Sequence, residues 1–571
     1  MIGYVCKYTP VHIIESFGEQ AIKIDPHVRG FDKAETMMHP NICTYAKAVL
    51  EQCYKTGIKN IVLVNCCDSI KRLYDVLKND DDFKFVHMID VPRKKNKASD
   101  LIMKREMLGF INAMEEFTSK KFDEDKFINI VNSAQITKPV NKSDTNIAIM
   151  GSRIRNSTIK QIEDTGASVS YNFTCTGDFD KSTKLMKNQD YILSYSSFLL
   201  NSFPCLRMVD IDERIKVLNE NLDNIDGIIY HTTKFCDVYS FEYASLKNLV
   251  SVPMLKIETD YTEESNGQMK TRIEAFIETI KTTSNKEQIH ENKTNTNNSS
   301  KTSEKVLVAG IDSGSTSTNV VIMNNKKEVL SYSIVKTGAK SQSGAENAMK
   351  EALNKISIGM DDLSKIISTG YGRISIPFAD EEVTEITCHG KAAYFLNNSV
   401  RTIIDIGGQD SKVIKLDDKG NVVDFAMNDK CAAGTGRFLE MMSRTLEVPL
   451  EEMGKSSLNW TEDIDITSMC TVFAESEVVS LIAQNKEIPD IIHGLDKSVA
   501  AKTVSLVNRV GKKDSFMMTG GVAKNIGVVN CLQEKLGEKI FIPEEPQIVG
   551  AIGAALTALE KCETEKDNSS Y

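Results

Sequence analysis

Apolar residues in the first 280 positions gather into short runs: IVLVNCC (61–67), FVHMIDV (85–91), NIAIMGS (146–152), SVSYNFTC (168–175), GIIYHT (227–232) and MLKIET (254–259). These read as strands, and helical patterns separate them, such as ICTYAKAVLEQCYK (42–55), 98–121 and 209–222. Alternating strands and helices predict a parallel α/β architecture, with strands enough for two small doubly wound sheets. Residues 282–304, TTSNKEQIHENKTNTNNSSKTSE, break the rhythm, because their only large apolar residue is Ile289. Such a segment cannot bury enough surface to offset its ordering entropy and predicts a flexible linker. A helical run (267–280) precedes it, and the buried-strand run VLVAGIDSGS (306–315) follows it. The expected organisation is a first domain at 1–281, a linker at 282–304, a second domain at 305–562 and a disordered polar tail at 563–571.

With 571 residues the chain is too long for one core. Its 41% hydrophobic and 26% charged residues exclude a collagen-like or wholly disordered chain. A net charge of -10 argues against a nucleic-acid partner, since phosphate binding wants a basic face. No apolar stretch is long enough to span a membrane. The first residues lack the basic and apolar regions of a signal peptide, so a cytoplasmic protein is expected. Thirteen cysteines are too few for a disulfide scaffold, and a reducing cytosol disfavours bridges. Cys53, Cys388, Cys531 and Cys562 fit small buried hydrophobes within helix or strand patterns. The others sit beside Gly, Pro, Asp or Thr at segment ends, where that reading fits poorly.

Three turns in the second domain carry phosphate-binding chemistry. GIDSGSTST (310–318) follows an apolar strand with Asp312, Ser313, Gly314, Ser315 and Thr316. Glycine lets backbone approach a phosphate closely, and free N–H groups and hydroxyls hold its oxygens. A carboxylate there suits Mg²⁺, directly or through water. DIGGQDSK (405–412) offers the same chemistry through Asp405, Gly407, Gly408 and Gln409. This internal echo suggests two similar lobes facing one ligand. A third turn, TGGVAKN (519–525), adds Gly520, Gly521 and Asn525. Each alone is usually only a turn; the three in order make a joint signal. In order, they resemble the first phosphate, second phosphate and adenosine motifs of the ATPase superfold of actin, Hsp70 and hexokinase. The expected fold class is therefore α/β, with a parallel N-terminal unit followed by an actin/Hsp70/hexokinase-like two-lobed ATPase.

Between the second and third turns lie NDKCAAGTGRF (428–438) and SMCTVFAESE (468–477), each placing a cysteine before a helical pattern. A helix N-terminus favours thiolate, and two thiolates with their amides suit an anionic iron–sulfur cluster. A [4Fe–4S] cube usually takes four cysteines, so two per chain suffice if a homodimer shares one cube. DKCAAGTGRFLE and SMCTVFAESEV resemble the activator ATPases of 2-hydroxyacyl-CoA dehydratases and the related subunits of benzoyl-CoA reductase, across roughly 305–562. The resemblance implies a homodimer with one [4Fe–4S] cluster held by Cys431 and Cys470 of each chain. ATP would change the angle between the lobes and drive one electron to a partner at low potential. A ferredoxin- or flavodoxin-like donor would supply that electron. By the same resemblance Asp312, Ser313, Ser315 and Thr316 take phosphate and Mg²⁺. Asp405, Gly407, Gly408 and Gln409 take the γ-phosphate and attacking water, and Gly520, Gly521 and Asn525 line the adenosine side.

In the first domain Cys67, Cys175 and Cys236 stand at strand ends, where parallel α/β sheets bind ligands. Three cysteines converging there predict a metal site. Cys43 begins a helical pattern, and Cys6 and Cys205 lie in turn-like context. The stretches GYVCKYTPVHIIESFG, LVNCCDSIKRLYD, HTTKFCD and ETDYTEESNGQMKTRIEAF resemble the cluster-bearing subunits of 2-hydroxyacyl-CoA dehydratases along most of 3–280. The resemblance implies a [4Fe–4S] cluster on Cys43, Cys67 and Cys236. Adding Cys6, Cys175 and Cys205 brings the set to six, the number that holds a double-cubane [8Fe–9S] cluster in a related family that reduces small molecules. Cys66 is unassigned. The first reading is thus a double-cubane-type reductase of small molecules fed by its own ATPase. The second is a dehydratase component acting on an acyl-CoA with its own activator. A non-redox ATPase, against which Cys431 and Cys470 argue, and a metal or redox sensor are readings of another class.

Overall fold

Each of the six apolar runs folds as a strand, and two shorter strands that leave no hydrophobic pattern join them. The computed structural model describes residues 1–94, 96–133, 143–175, 177, 183–201, 205–207, 211–247, 249–262, 266–291, 306–428, 434–466 and 471–568. The chain divides into two units, Met1–Ile280 and Lys281–Tyr571.

In the first unit β1 (Ile2–Tyr4), β2 (Ala21–Lys23), β3 (Asn60–Val64) and β4 (Phe85–Ile89) form a parallel sheet in the order β2-β1-β3-β4. A second parallel sheet of β5 (Asn146–Gly151), β6 (Ser168–Thr174), β7 (Gly227–Thr233) and β8 (Met254–Thr259) runs β6-β5-β7-β8. The two sheets have the same winding. In each the order reverses beside the first strand, which leaves a crevice at the carboxyl ends of the strands. Both faces are covered, as β3 illustrates: Val62 and Val64 join a core with Phe110 and Tyr195, whereas Ile61 and Leu63 join another with Val49 and Leu73. Burial on alternate sides is why β3 reads as an unbroken apolar run.

The second unit repeats one sheet topology twice. β9 (Leu307–Ser313), β10 (Ser317–Asn324), β11 (Val329–Lys336), β12 (Lys365–Thr369) and β13 (Glu381–Glu382) are ordered β11-β10-β9-β12-β13. β14 (Thr402–Ile406), β15 (Ser411–Leu416), β16 (Val422–Asn428), β17 (Phe516–Thr519) and β18 (Ile540–Phe541) are ordered β16-β15-β14-β17-β18. Each sheet starts as an antiparallel meander and ends with two parallel strands. The sequence echo falls on the β9–β10 and β14–β15 turns, so it marks one structural position in two lobes. The fold is α/β with the two-lobed architecture of actin-like ATPases.

Helix Asn266–Glu291 runs past residue 282, where the composition predicts a linker, and residues 292–305 lie outside the described residues. The last helix, Val549–Asn568, continues past Cys562. Among the described residues no helix is long and apolar enough to cross a membrane.

One buried carboxyl gives the second lobe a pH-dependent stability. Asp496 lies fully buried in helix Ile488–Val510, and burial pushes its carboxyl from 3.8 to about 7, only partly offset by Ser457 and Asn525 beside it. The unfolded chain loses this proton near 3.8 and the folded one near 7. Between those values the native state binds more protons, so stability falls as pH rises and stays reduced above the window. Asp496→Asn is therefore expected to be more stable than the parent at pH 8, the advantage vanishing near pH 4. Urea unfolding of the full chain at both pH values, followed by the fluorescence of the single tryptophan, Trp460, checks this.

Candidate functional site

Strand register builds the site between the lobes. Asp312 on β9 pairs in register with Thr369 on β12, and Asp405 on β14 pairs with Thr519 on β17. The two aspartates therefore stand at equivalent places in the two sheets. They line one cavity of about 400 Å³ together with Ser315, Thr316, Gly407 and Gly408. Thr316 and Gly408 come from opposite lobes and touch so closely that a β-carbon at Gly408 would collide with Oγ1 of Thr316. Gly520 has φ 84°, and a β-carbon there would strike the carbonyl oxygen of Ile406. Glycine is thus required where the third turn passes behind the second.

Charge inside the cavity is concentrated on Asp405. Its Oδ1 accepts from Thr519 Oγ1 at 2.9 Å and lies 3.3 Å from His389 Nε2; its Oδ2 lies 3.3 Å from Lys412 Nζ. Lys412 sits directly opposite Asp405 in the β14–β15 register and also reaches Asp410 at 2.6 Å and Glu385 at 3.7 Å. Burial opposes the charge of Asp405, yet His389 and Lys412 hold it far below the usual carboxylate range. Burial likewise opposes charge on His389, but Asp405 and Asp312 carry it up to about 9. The hydrogen bonds agree: Nδ1–H donates to the Glu385 carbonyl at 2.8 Å, so the Nε2 facing a carboxylate carries a second proton. Among the described residues no ion pair reaches Asp312, and burial pushes it up to about 6 against the pull of His389. The structure thus places one strongly ionised carboxylate and one easily protonated carboxylate on opposite walls. Such a pair can hold a hydrated divalent cation between phosphate oxygens and protein.

Most residues expected at the nucleotide line this cavity: Gly314, Ser315, Thr316, Gly407, Gly408, Gly520, Gly521 and Asn525. Ser313 does not; it is fully buried behind the wall. Gln409 is exposed and does not line the cavity, because the tight turn directs Asp410 inward instead. Asn525 caps helix Ile526–Leu536 by accepting from Val528 N at 3.1 Å. Sequence reasoning missed Glu385, His389, Asp410 and Lys412. Asp410 and Lys412 had a signal, since DIGGQDSK spaces them two apart, Asp410 in the turn just before β15 and Lys412 on it. Glu385 and His389 come from helix Glu385–Leu396, one turn apart, with no turn motif to mark them.

The second turn is tied to the start of the helix that follows Cys431 in sequence. Gly436 N donates to Gly407 O and Arg437 N to Gly408 O, both at 2.9 Å. Gly436 begins helix Gly436–Thr445, five residues after Cys431. Cys431 and Cys470 lie outside the described residues; helix Thr471–Ala483 starts immediately after Cys470.

In the first unit the strand ends deliver cysteines to one basin. Cys6 follows β1, Cys175 follows β6, and Cys43, Cys67 and Cys236 each stand at a helix N-cap. Cys205 N donates to Tyr8 Oη at 3.2 Å, and its sulfur lies 3.9 Å from Tyr239 Oη. Cys175 feels the charges of Cys205, Cys236 and Cys6, while Cys43 feels Cys67 and Cys175. All six predicted thiols therefore share one electrostatic neighbourhood, and Cys66, which interacts with Cys6 and Cys67, is a seventh. Its interaction with Cys6 and Cys67, with burial, pushes the Cys66 thiol up, whereas the interaction with Cys66 draws Cys67 down to about 7. Burial raises Cys43 to about 12. Lys7 is within electrostatic reach of Cys205, Cys6 and Cys175, and Arg207 of Cys67. Among the described residues no three His, Cys, Asp or Glu side chains close on one point as a single ion requires. Ligands of a polynuclear cluster each meet a different iron, so a wider ring of soft thiols with nearby cations fits such an anionic group.

Residues 309–558 match the BadF/BadG/BcrA/BcrD ATPase family. Residues 6–138 and 131–280 match the D-component of 2-hydroxyglutaryl-CoA dehydratase. The 2-hydroxyisocaproyl-CoA dehydratase activator of Clostridioides difficile is 41% identical over 259 residues, covering 45% of this chain and 97% of that protein. The activator of lactoyl-CoA dehydratase of Anaerotignum propionicum is 46% identical over 251 residues, 44% of this chain and 96% of that protein. A solved structure of the Clostridium difficile activator with bound ADPNP is 40% identical, covers 46% of this chain and 98% of that one, and has a TM-score of 0.45.

Proposed function

Because the chain belongs to the BadF/BadG/BcrA/BcrD ATPase family and carries a dehydratase-component-like unit ahead of it, we propose that it couples ATP hydrolysis to delivery of a low-potential electron from its ATPase unit to its own thiol-rich unit. When bound, the clusters supply one-electron transfer: a [4Fe–4S] group shared by two chains as donor, and a cluster in the first unit as acceptor. Cys431 and Cys470 of each protomer would hold the shared group, and a ferredoxin- or flavodoxin-like protein would supply its electron.

In the ATPase unit Asp312, Ser315 and Thr316 receive phosphate oxygens and Mg²⁺ from one lobe. Asp405, Gly407 and Gly408 receive the γ-phosphate from the other. Lys412 and His389 keep Asp405 ionised, ready to orient a water or a metal-bound water. Gly520, Gly521 and Asn525 face the nucleoside. The backbone bonds from Gly436 and Arg437 to Gly407 and Gly408 support a mechanical link: a shift of the phosphate turn pulls on the helix that follows Cys431.

The observation that carries the choice of acceptor is the number of thiols in the basin. Cys6, Cys43, Cys67, Cys175, Cys205 and Cys236 exceed what one [4Fe–4S] cube takes, and they support a double-cubane [8Fe–9S] cluster and reduction of a small molecule. The match to a dehydratase D-component favours a second reading, in which Cys43, Cys67 and Cys236 hold one [4Fe–4S] cluster and the substrate is an acyl-CoA.

Iron and acid-labile sulfide, counted on protein made without oxygen, separate the readings. About ten Fe per chain, falling to about eight in Cys431→Ala, supports the double-cubane reductase. About six falling to four supports the dehydratase. No iron in either protein removes both.

A further inference from the structure

Among the described residues four cationic side chains line the cavity between the lobes: His389, Lys412, Lys524 and Arg437. Three of them are committed to carboxylates. His389 faces Asp405 at 3.3 Å, Lys412 reaches Asp410 at 2.6 Å, and Lys524 reaches Glu545 at 2.9 Å. Arg437 differs from these. It is exposed, and among the described residues its guanidinium makes no ion pair and no hydrogen bond. Glu440, one turn further along the same helix, pairs with Arg444 at 2.6 Å instead.

An uncommitted arginine at the wall of a cavity is suited to an anion. Its planar fork matches two phosphate oxygens, and it keeps its charge at any working pH. The backbone fixes where it can act. Gly436 N donates to Gly407 O and Arg437 N to Gly408 O, so the first turn of helix Gly436–Thr445 stands against the phosphate turn. Phe438, Leu439 and Met442 anchor that helix in the core of its lobe. We infer that the Arg437 guanidinium binds the phosphates of the nucleotide and so ties their presence to the helix that follows Cys431. This rests on the reading of the cavity as an ATP site. Arg437 then shares with Mg²⁺ the neutralisation of the phosphates, for which the lysines of the wall, already paired, are not available. A charge bound at the first turn acts directly on the segment that enters the helix.

The test uses the full chain as parent, Arg437→Ala and Arg437→Lys, and isothermal titration calorimetry with ADPNP, ADP and adenosine in the presence of Mg²⁺. Loss of a charged contact to phosphate is expected to weaken ADPNP and ADP about ten- to a hundredfold in Arg437→Ala. Adenosine, which has no phosphate, is expected to bind as it does to the parent. Arg437→Lys keeps the charge without the fork and is expected to lie between the two. Unchanged affinity for ADPNP and ADP in Arg437→Ala overturns the inference. Equal weakening of all three ligands in both variants overturns it as well, because it would place the contact on the nucleoside. A parent chain that binds none of the three overturns instead the reading of the cavity. The tie to the helix has its own readout, the rate at which a ferrous chelator removes iron from protein prepared without oxygen. ADPNP is expected to alter that rate in the parent and to leave it unaltered in Arg437→Ala, at a concentration that saturates both. The same response in both proteins, or none in either, removes the tie.

Discussion

Asp405→Asn is expected to lower ATP turnover by about a hundred- to a thousandfold, the loss typical when one preorganised polar contact to a reacting group is removed. The reason lies in how many groups converge on it. Asp405 accepts from Thr519 and faces both His389 and Lys412, and it is 4% exposed. An amide of the same shape leaves the two cations facing a neutral group. Lys412 then turns its charge to Asp410 and Glu385, and His389 loses the partner that keeps it protonated. Gln409→Ala provides the contrast. Gln409 is exposed and outside the cavity, so its removal is expected to leave turnover within a few-fold of the parent. Steady-state ATP hydrolysis of the three proteins decides the matter. A Gln409→Ala loss as large as that of Asp405→Asn would return the water-orienting role to the glutamine.

The largest expected loss of stability is in the first unit. Arg214 and Glu242 form an ion pair with relative side-chain exposures of 1% and 0%. Tyr230 Oη donates to Glu242 Oε2 at 2.5 Å, and the Arg214 guanidinium lies over the Tyr239 ring. A buried pair of this kind contributes little over a well-packed apolar pair, but removing one partner strands a charge in the core, at a cost of about 3–5 kcal/mol. Glu242→Ala is expected to destabilise the first unit by that amount, whereas Arg214→Met with Glu242→Leu recovers most of it. The single tryptophan lies in the second unit, so it serves as an internal control. In urea, far-ultraviolet circular dichroism of Glu242→Ala should show an early transition while Trp460 fluorescence keeps its midpoint. A common shift of both signals would contradict this.

The α/β class, six of the eight strands of the first unit and the three glycine-rich turns could be read from the chain, because each is a local pattern. A strand buried on both faces is a run of apolar residues wherever it lies, and a phosphate turn needs glycine and hydroxyls next to one another. β1 and β2 escaped, since three residues are too few to carry a period. The cysteines at strand ends could be suspected for the same local reason. That Cys43 and Cys175 influence each other, or that Cys175 feels Cys205, depends on two sheets wound alike and on where their carboxyl ends come together. The charge network of the ATPase cavity is likewise non-local. Lys412 faces Asp405 through strand register, and His389 enters from a helix whose sequence has no phosphate-binding signature. Protonation follows from burial and those contacts together: burial lifts Asp312 to about 6, while Asp405 is held ionised and His389 is carried up to about 9 by neighbours distant in the chain. Composition and spacing settled which chemistry the chain carries. Burial and long-range pairing, which no local pattern encodes, settled which groups are charged and which of them act together.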